Sequence, residues 1–169
     1  RGGSGGAAFA VQHAHERGSV HRDLKPANLM VGTDDRLYVM DFGLAKRTTV
    51  DVSLSATGSI LGTPAWMSPE QARGSPQVDA RADVYSLGAT LYDLLAGDPP
   101  FTCENLYELL KQIESQDPPP LDGVASDLGT VVMKCLEEEP ARRYSLAREL
   151  AEDLDRWLRG RPIHASATR

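Results

Sequence analysis

Small and apolar residues recur at helical spacing near the start of the chain, and a strand-like pattern follows. Between residues 7 and 17 these positions keep the 3.6-residue period of a helix, and Gly18 stands where a helix commonly ends. Residues 28–31 and 36–40 form two short β-like runs, and the Gly-Thr-Asp-Asp segment between them is typical of a turn. The beginning of the chain is therefore predicted to form a helix followed by a β-hairpin.

The second half of the chain is predicted to be helical. An apolar helix follows Pro76 and ends at Gly97, with a stripe formed by Val84, Leu87, Leu91, Leu94 and Leu95. Three more helices are predicted at residues 104–114, 126–137 and 145–158. The last of them carries its expected core-facing stripe at Leu146, Leu150, Leu154 and Trp157.

Three segments lack such a period. Residues 43–76 are rich in Ser, Thr, Gly and Pro and are predicted to form one long functional loop. Residues 1–6 are interpreted as a linker or ragged terminus, and the tail over residues 159–169 is expected to be loose. Residues 7–158 remain as one domain, which is mainly α with one small β-hairpin.

The composition fits one compact domain and excludes several classes of protein. The 169 residues are 41% hydrophobic and 25% charged, and the formal net charge is −6. Nucleic-acid binders that work by bulk charge usually carry a basic patch, so no nucleic-acid partner is expected. No apolar run is long enough to span a bilayer, so no membrane contact is expected from this segment. Cys103 and Cys135 belong to no pairing or zinc motif and indicate a reducing, cytoplasmic location.

Four short motifs that suggest phosphate chemistry follow one another in a fixed order. They are HRDLKPAN at residues 21–28, DFG at 41–43, GTP at 62–64 with SPE at 68–70, and DVYSLG at 83–88. Together they resemble the catalytic lobe of the protein kinases, and the lysine two residues after the HRD aspartate resembles the serine/threonine branch. Within that family, the PEQARG sequence that begins at Pro69 is most similar to the bacterial kinases.

The resemblance implies both a fold and an activity. The expected fold is the C-terminal lobe of a kinase with the N-terminal β-rich lobe absent, because no glycine-rich strand pair and no strand lysine precede the HRD motif. The expected activity is transfer of the ATP γ-phosphate to Ser or Thr hydroxyls of protein substrates, as part of a longer kinase. The alternative is a non-catalytic, truncated kinase-like interaction module. The surface that the missing lobe would cover is expected to be apolar and to permit self-association.

The residue types in these motifs suit phosphoryl transfer. That reaction needs a positioned acceptor hydroxyl and neutralisation of the charge on the polyphosphate. Asp23 can accept or orient the hydroxyl proton, and Lys25 offers a positive charge to the transferred group. Asn28 and Asp41 supply hard oxygen ligands for Mg²⁺, and the hairpin between them would bring the two together. ATP and Mg²⁺ are therefore the expected cofactors.

The resemblance also implies regulatory and selective roles. Thr63 is expected to contact the catalytic residues and to help select Ser and Thr acceptors. Arg22 is expected to pair with a phosphate on the long loop. The candidate phosphate acceptors are Ser53, Ser55, Thr57 and Ser59. Thr57 is preferred because it lies six residues before Thr63.

The remaining candidates are expected to support the site rather than to react. Glu70 and Arg143 resemble a buried ion pair that fastens the end of the long loop. Asp83 is expected to hold the backbone of the HRD motif, or alternatively to serve as the N-terminal charge of its helix. His21 is interpreted as a packing and backbone-bonding residue, and His15 as an ordinary helix position.

Overall fold

A computed structural model of the chain describes residues 6–42 and 64–166. Within these residues it contains six α-helices and one two-stranded sheet. In chain order they are α1 (Gly6–His15), β1 (Leu29–Val31), β2 (Leu37–Val39), α2 (Pro69–Ala72), α3 (Ala80–Ala96), α4 (Leu106–Ser115), α5 (Ser126–Cys135) and α6 (Ala147–Leu158). Single turns of 3₁₀ helix lie at Pro26–Asn28, Pro64–Trp66 and Pro140–Arg142. A mainly α fold with one small hairpin is therefore confirmed for the described part of the chain.

The predicted first helix and hairpin are both present. Gly18 follows α1 with a left-handed φ of 73°, a conformation that glycine adopts without strain. The strands β1 and β2 pair antiparallel, with Met30 opposite Tyr38. The pairing continues as the Met40 N–H donates to the Asn28 carbonyl at 2.9 Å. The hairpin thus returns the chain to the end of the HRD motif.

The predicted loop over residues 43–76 is wrong at its C-terminal end. That end contains a 3₁₀ turn and the four-residue helix α2. Ser68 and Gln71 form a capping box around the first turn of α2. A helix of one turn offers too few positions to show an apolar repeat, so the periodicity misses it. Residues 43–63 lie outside the described residues.

The central helix is α3, in which ten of 17 residues are buried. It packs against α5, while α1 packs against α6 and β2. Gly88 of α3 lies directly against Cys135 of α5, and a Cβ atom at Gly88 would overlap the Cys135 Cβ. This contact sets how closely the two helices approach. None of the helices in the described ranges has both the length and the apolar composition needed to cross a membrane.

Three positions that were predicted to face the core are exposed. Leu94 and Leu95 are 70% and 38% exposed, because the buried part of α3 ends at Tyr92. Leu146 is 37% exposed and occupies the N-cap, one residue before α6 begins. The helical period identifies the apolar side of a helix, but it does not show where the contact with a neighbouring helix stops.

Residues 163–165 are attached to the core, in contrast to the expected loose tail. Asp153 of α6 is fully buried and accepts the backbone N–H groups of His164 and Ala165 at 2.7 and 2.8 Å. Its carboxylate also accepts the Tyr144 hydroxyl at 2.8 Å. Ile163 packs on the largest apolar cluster. An apolar pattern cannot reveal this attachment, because its anchor is a charged residue.

Candidate active site

Residues 21–28, the HRD loop, are held by one buried aspartate of α3. Asp83 is fully buried, and its carboxylate accepts the backbone N–H groups of His21 at 2.8 Å and Arg22 at 2.7 Å. A third hydrogen bond joins the carboxylate to His15 Nε2 at 2.7 Å. Arg22 has a left-handed φ of 66°, which a non-glycine residue keeps only when its surroundings enforce it. One carboxylate therefore ties together α1, α3 and the HRD loop.

Three of the predicted site residues meet inside this loop. Lys25 Nζ lies 2.9 Å from Asp23 Oδ2. Asn28 Nδ2 donates to the Asp23 carbonyl at 2.7 Å and reaches Asp23 Oδ2 at 3.3 Å. The Asp23 side chain is 64% exposed while Asn28 is buried. The Asp23 carboxylate is thus exposed to solvent, while the backbone that carries it is held by the buried Asn28 side chain.

Asp41 follows β2, and its chain neighbours Met40 and Phe42 both contact the HRD loop. His21 is buried, and its Nε2 is hydrogen-bonded to the Met40 carbonyl at 2.8 Å. The Phe42 ring packs edge-on against the His21 ring, with 4.7 Å between centroids. Asp41 itself is exposed and has a left-handed φ of 62°. The backbone on both sides of Asp41 is therefore attached to the HRD loop while its carboxylate remains accessible.

The oxygen atoms of Asn28 and Asp41 suit a hard divalent cation. The Asn28 amide nitrogen is engaged with Asp23, which leaves its Oδ1 as the atom for a cation. Mg²⁺ prefers oxygen ligands and commonly completes its shell with phosphate and water, so two protein ligands are sufficient. Across residues 6–42 and 64–166, no group of three or more His, Cys, Asp or Glu side chains is arranged to hold a metal ion. The donor set fits a cation that is shared with a phosphate substrate.

Glu70 and Arg143 form a buried, two-point ion pair. Arg143 Nη1 and Nη2 each donate to one Glu70 carboxylate oxygen at 2.8 Å. The other guanidinium hydrogens are bound by the carbonyl oxygens of Arg81, Glu137 and Glu138. The guanidinium is therefore saturated, and it fastens α2 to α3 and to the segment that precedes α6.

Two further residues support the HRD loop, His15 through Asp83 and Gln71 by direct contact. His15, interpreted as an ordinary helix position, is bonded to Asp83, and this interpretation is therefore wrong. Gln71 of α2 donates from Nε2 to the Arg22 carbonyl at 2.8 Å. Neither contact leaves a local signal, because each partner is tens of residues away in the sequence.

The predicted regulatory and selective residues are only partly described. Ser55, Thr57 and Thr63 lie outside the described residues. Arg22 is half-buried, with one long hydrogen bond of 3.4 Å from Nη2 to the Val78 carbonyl. Its Nε is buried, and no residue in the described ranges accepts from it.

Burial and neighbouring charge alter the titration of groups around the helices. Burial raises the pKa of Tyr85 above its ordinary value, and the Arg143 guanidinium, 5.0 Å from the ring centroid, opposes that rise only in part. Burial likewise raises the pKa of the Cys135 thiol, which therefore stays protonated and unreactive. At the start of α3, a hydrogen bond from Arg81 holds the pKa of the Asp79 carboxyl below its usual value.

The family match and similar curated proteins both point to the protein kinases. The protein kinase domain family matches residues 7–154. The chain is 44% identical over 165 residues to the serine/threonine-protein kinase PknB of Mycobacterium tuberculosis (strain H37Rv), and 42% identical over 163 residues to that of Mycobacterium leprae. It is 39% identical over 166 residues to a probable serine/threonine-protein kinase PknB of Corynebacterium glutamicum.

These alignments cover 93–94% of this chain but 26% of each relative. The chain thus spans about a quarter of the length of the curated relatives it matches. The family match extends from α1 almost to the end of α6 and contains the whole HRD loop. The chain therefore belongs to the protein kinase family, and within it to the bacterial serine/threonine kinases.

Proposed function

We propose that this chain is the catalytic C-terminal lobe of a longer serine/threonine kinase, which transfers the ATP γ-phosphate to Ser or Thr hydroxyls of proteins. The observation that carries the proposal is the meeting of two nitrogen donors at the Asp23 carboxylate. Lys25 Nζ lies at 2.9 Å and Asn28 Nδ2 at 3.3 Å from the same oxygen. An exposed carboxylate held in this way is suited to orient an acceptor hydroxyl.

Each residue then has a distinct part in the transfer. Asp23 orients the acceptor hydroxyl and receives its proton as the hydroxyl oxygen bonds to the γ-phosphorus and the bond from that phosphorus to the bridging oxygen breaks, which releases ADP. Lys25 places its positive charge beside that carboxylate, where it can stabilise the transferred phosphoryl group. Asn28 and Asp41 would hold Mg²⁺, which when bound neutralises charge on the phosphates of ATP.

A small cavity beside Asp23 supports a place for the acceptor side chain. It measures about 30 Å³, and Asp23, Lys25, Trp66, Met67 and Ser86 are among the residues that line it. Thr63 directly precedes Pro64, which also lines the cavity. We assign Thr63 the selection of Ser and Thr acceptors on this basis.

Regulation by a loop phosphate is part of the proposal. The buried Arg22 Nε without a partner in the described ranges supports pairing with a phosphate, and Thr57, followed by Ser55, is the proposed acceptor. We propose residues 7–158 as the kinase portion, onto which residues 163–165 are fastened by Asp153. A cytoplasmic location is proposed from the free thiols Cys103 and Cys135 and from the need for ATP.

A second candidate, an interaction module that associates with itself, is favoured by one observation. The hairpin exposes large apolar side chains that phosphoryl transfer does not explain. They are Met30 (49% exposed), Val31 (65%), Tyr38 (46%) and Met40 (43%). Exposed large apolar side chains, when they cluster, are characteristic of a contact site. Sedimentation that stays monomeric at every concentration would contradict self-association.

Phosphoryl transfer from labelled ATP and Mg²⁺ to a basic protein substrate tests the enzymatic proposal. Wild-type chain is compared with Asp41→Asn and with Asp34→Asn, which alters an exposed carboxylate in the turn of the same hairpin. We expect loss of transfer in Asp41→Asn only. Equal transfer in all three chains would exclude Asp41 from the reaction. No transfer in wild type would mean that this chain does not catalyse the reaction by itself and that its chemistry requires residues of the longer kinase.

A further inference from the structure

The peptide group between Arg22 and Asp23 is held at both of its polar atoms. Its carbonyl oxygen accepts Gln71 Nε2 at 2.8 Å, and its N–H donates to His21 Nδ1 at 3.3 Å. The preceding N–H, on Arg22, donates to Asp83 at 2.7 Å. Because this peptide ends at the Cα of Asp23, its orientation sets the direction in which the Asp23 carboxylate leaves the backbone.

The amide of Gln71 is itself oriented by Ser68. Gln71 Oε1 accepts the backbone N–H of Ser68 at 3.2 Å and its hydroxyl at 3.0 Å. A backbone N–H can only donate, so the amide oxygen must face Ser68 and the amide nitrogen must face the Arg22 carbonyl. Ser68 is fully buried, which excludes water as a competitor for these bonds. The orientation of the Gln71 amide is therefore fixed, with Nε2 as the donor to the HRD loop.

The helix that carries Gln71, α2, is fastened to the helical core. Its chain neighbour Glu70 is held at both carboxylate oxygens by Arg143. Gln71 thus extends from a fixed helix to a backbone segment in a left-handed conformation. Such a conformation at a non-glycine residue persists only when surrounding groups enforce it.

We infer that Gln71 is a positioning residue for Asp23, because its amide holds the Arg22 carbonyl and thereby fixes the orientation of the Asp23 carboxylate. The inference rests on the proposed function only for its effect on phosphoryl transfer. Gln71 also couples α2 to Asp23, because its amide binds the peptide group that joins Arg22 to Asp23. A displacement of α2 would therefore disturb the HRD loop directly.

Gln71→Glu isolates the bond in question. The new side chain has the same length and still accepts from Ser68, but its carboxylate cannot donate to the Arg22 carbonyl. Gln77→Glu is the matched control, since it adds the same charge at an exposed position between α2 and α3. Gln71→Met, of similar size and without a donor, replaces the first variant if that chain does not fold. The measurements are amide hydrogen exchange resolved by residue and the melting temperature.

We expect exchange of the Asp23 amide to rise about tenfold in Gln71→Glu, the effect of losing one hydrogen bond, with the amides of α3 and α6 unchanged. Gln77→Glu should match wild type. Unchanged exchange at Asp23 would overturn the inference, and so would a uniform rise at all amides, which indicates general destabilisation.

Kinetics separate this inference from the proposed function. In an active chain, Gln71→Glu should lower kcat about tenfold while KM for ATP stays the same, because a bond that orients the acceptor group is lost and the ATP ligands are not. A rise in KM with constant kcat would contradict positioning of Asp23. If wild type transfers no phosphate, activity of this chain by itself is excluded, and the exchange measurement still decides the role of Gln71.

Discussion

The helical core, formed by α3, α5 and α6, and the HRD loop are held by different forces. In the core, apolar side chains such as Leu87, Val131 and Leu150 are buried against one another. In the HRD loop, the backbone is bound by polar side chains from distant elements, above all Asp83. Apolar packing tolerates many partners of similar size, whereas each polar contact requires one particular atom. The core therefore depends on shape and the loop on individual hydrogen bonds.

The Glu70–Arg143 pair fastens α2, which carries Gln71, to the helical core and should show the largest effect on stability. Arg143→Leu leaves the Glu70 carboxylate buried without a partner, so we expect a loss of about 3–5 kcal/mol in the free energy of unfolding. Urea denaturation measures it. Arg148→Leu is the control, because its pair with Glu152 is half-exposed on both sides and should contribute about 0–1 kcal/mol. Equal losses in the two variants would show that the buried pair does not fasten α2 to the core.

Removing one acceptor from the HRD loop should have the next largest effect. In Asp83→Asn a single amide oxygen replaces two carboxylate oxygens that accept three hydrogen bonds. At least one buried N–H then loses its partner, at a cost of about 2–3 kcal/mol. Asp93→Asn on the same helix is the control, since it has no side-chain hydrogen bond within the described ranges, and its stability should match wild type. A loss of under about 0.5 kcal/mol in Asp83→Asn would mean that the loop is held by other contacts.

A third prediction tests the shape dependence of the core. Gly88→Ala adds a Cβ that overlaps Cys135, so α3 and α5 must separate, and we expect a loss of about 1–2 kcal/mol. Gly129→Ala is the matched control, because it lies in α5 with open space around it and should gain up to about 1 kcal/mol in helix propensity. Thermal and urea unfolding of both chains measure the difference. A gain in both variants would mean that the helices can separate without cost.

What could be predicted from the sequence follows the same division. The helices around Leu87 and Leu150 are predicted from periodicity, because packing produces a repeat in the chain. The hairpin is predicted from two β-like runs that are separated by turn residues. The HRD motif led to Asp23 and its neighbours through resemblance to a family, which supplied the order of motifs. The contacts of His15 and Gln71 could not be predicted, because their partners lie far away in sequence and neither residue type is unusual for a helix.

The cap of α3 should show the smallest effect, and its dependence on pH can be predicted from a lowered pKa. Asp79 accepts from the Arg81 N–H at 2.8 Å, and its side-chain hydrogen bond with Arg81 lowers its pKa from the ordinary 3.8. A lowered folded-state pKa stabilises the fold above the unfolded value and loses that contribution as the pH falls through the folded value. Asp79→Asn keeps the cap but removes the charge, so we expect it to cost about 0.5 kcal/mol at pH 7.

Urea unfolding at pH 7, 5 and 3 then distinguishes charge from capping. The difference in stability between wild type and Asp79→Asn should be constant from pH 7 to 5 and should shrink at pH 3, because the wild-type carboxyl becomes protonated. Asp98→Asn, exposed in the turn after α3, is the control and should show no difference at any of the three values. A difference that persists unchanged at pH 3 would mean that the geometry of the cap, and not the charge of Asp79, stabilises the start of the helix that carries Asp83.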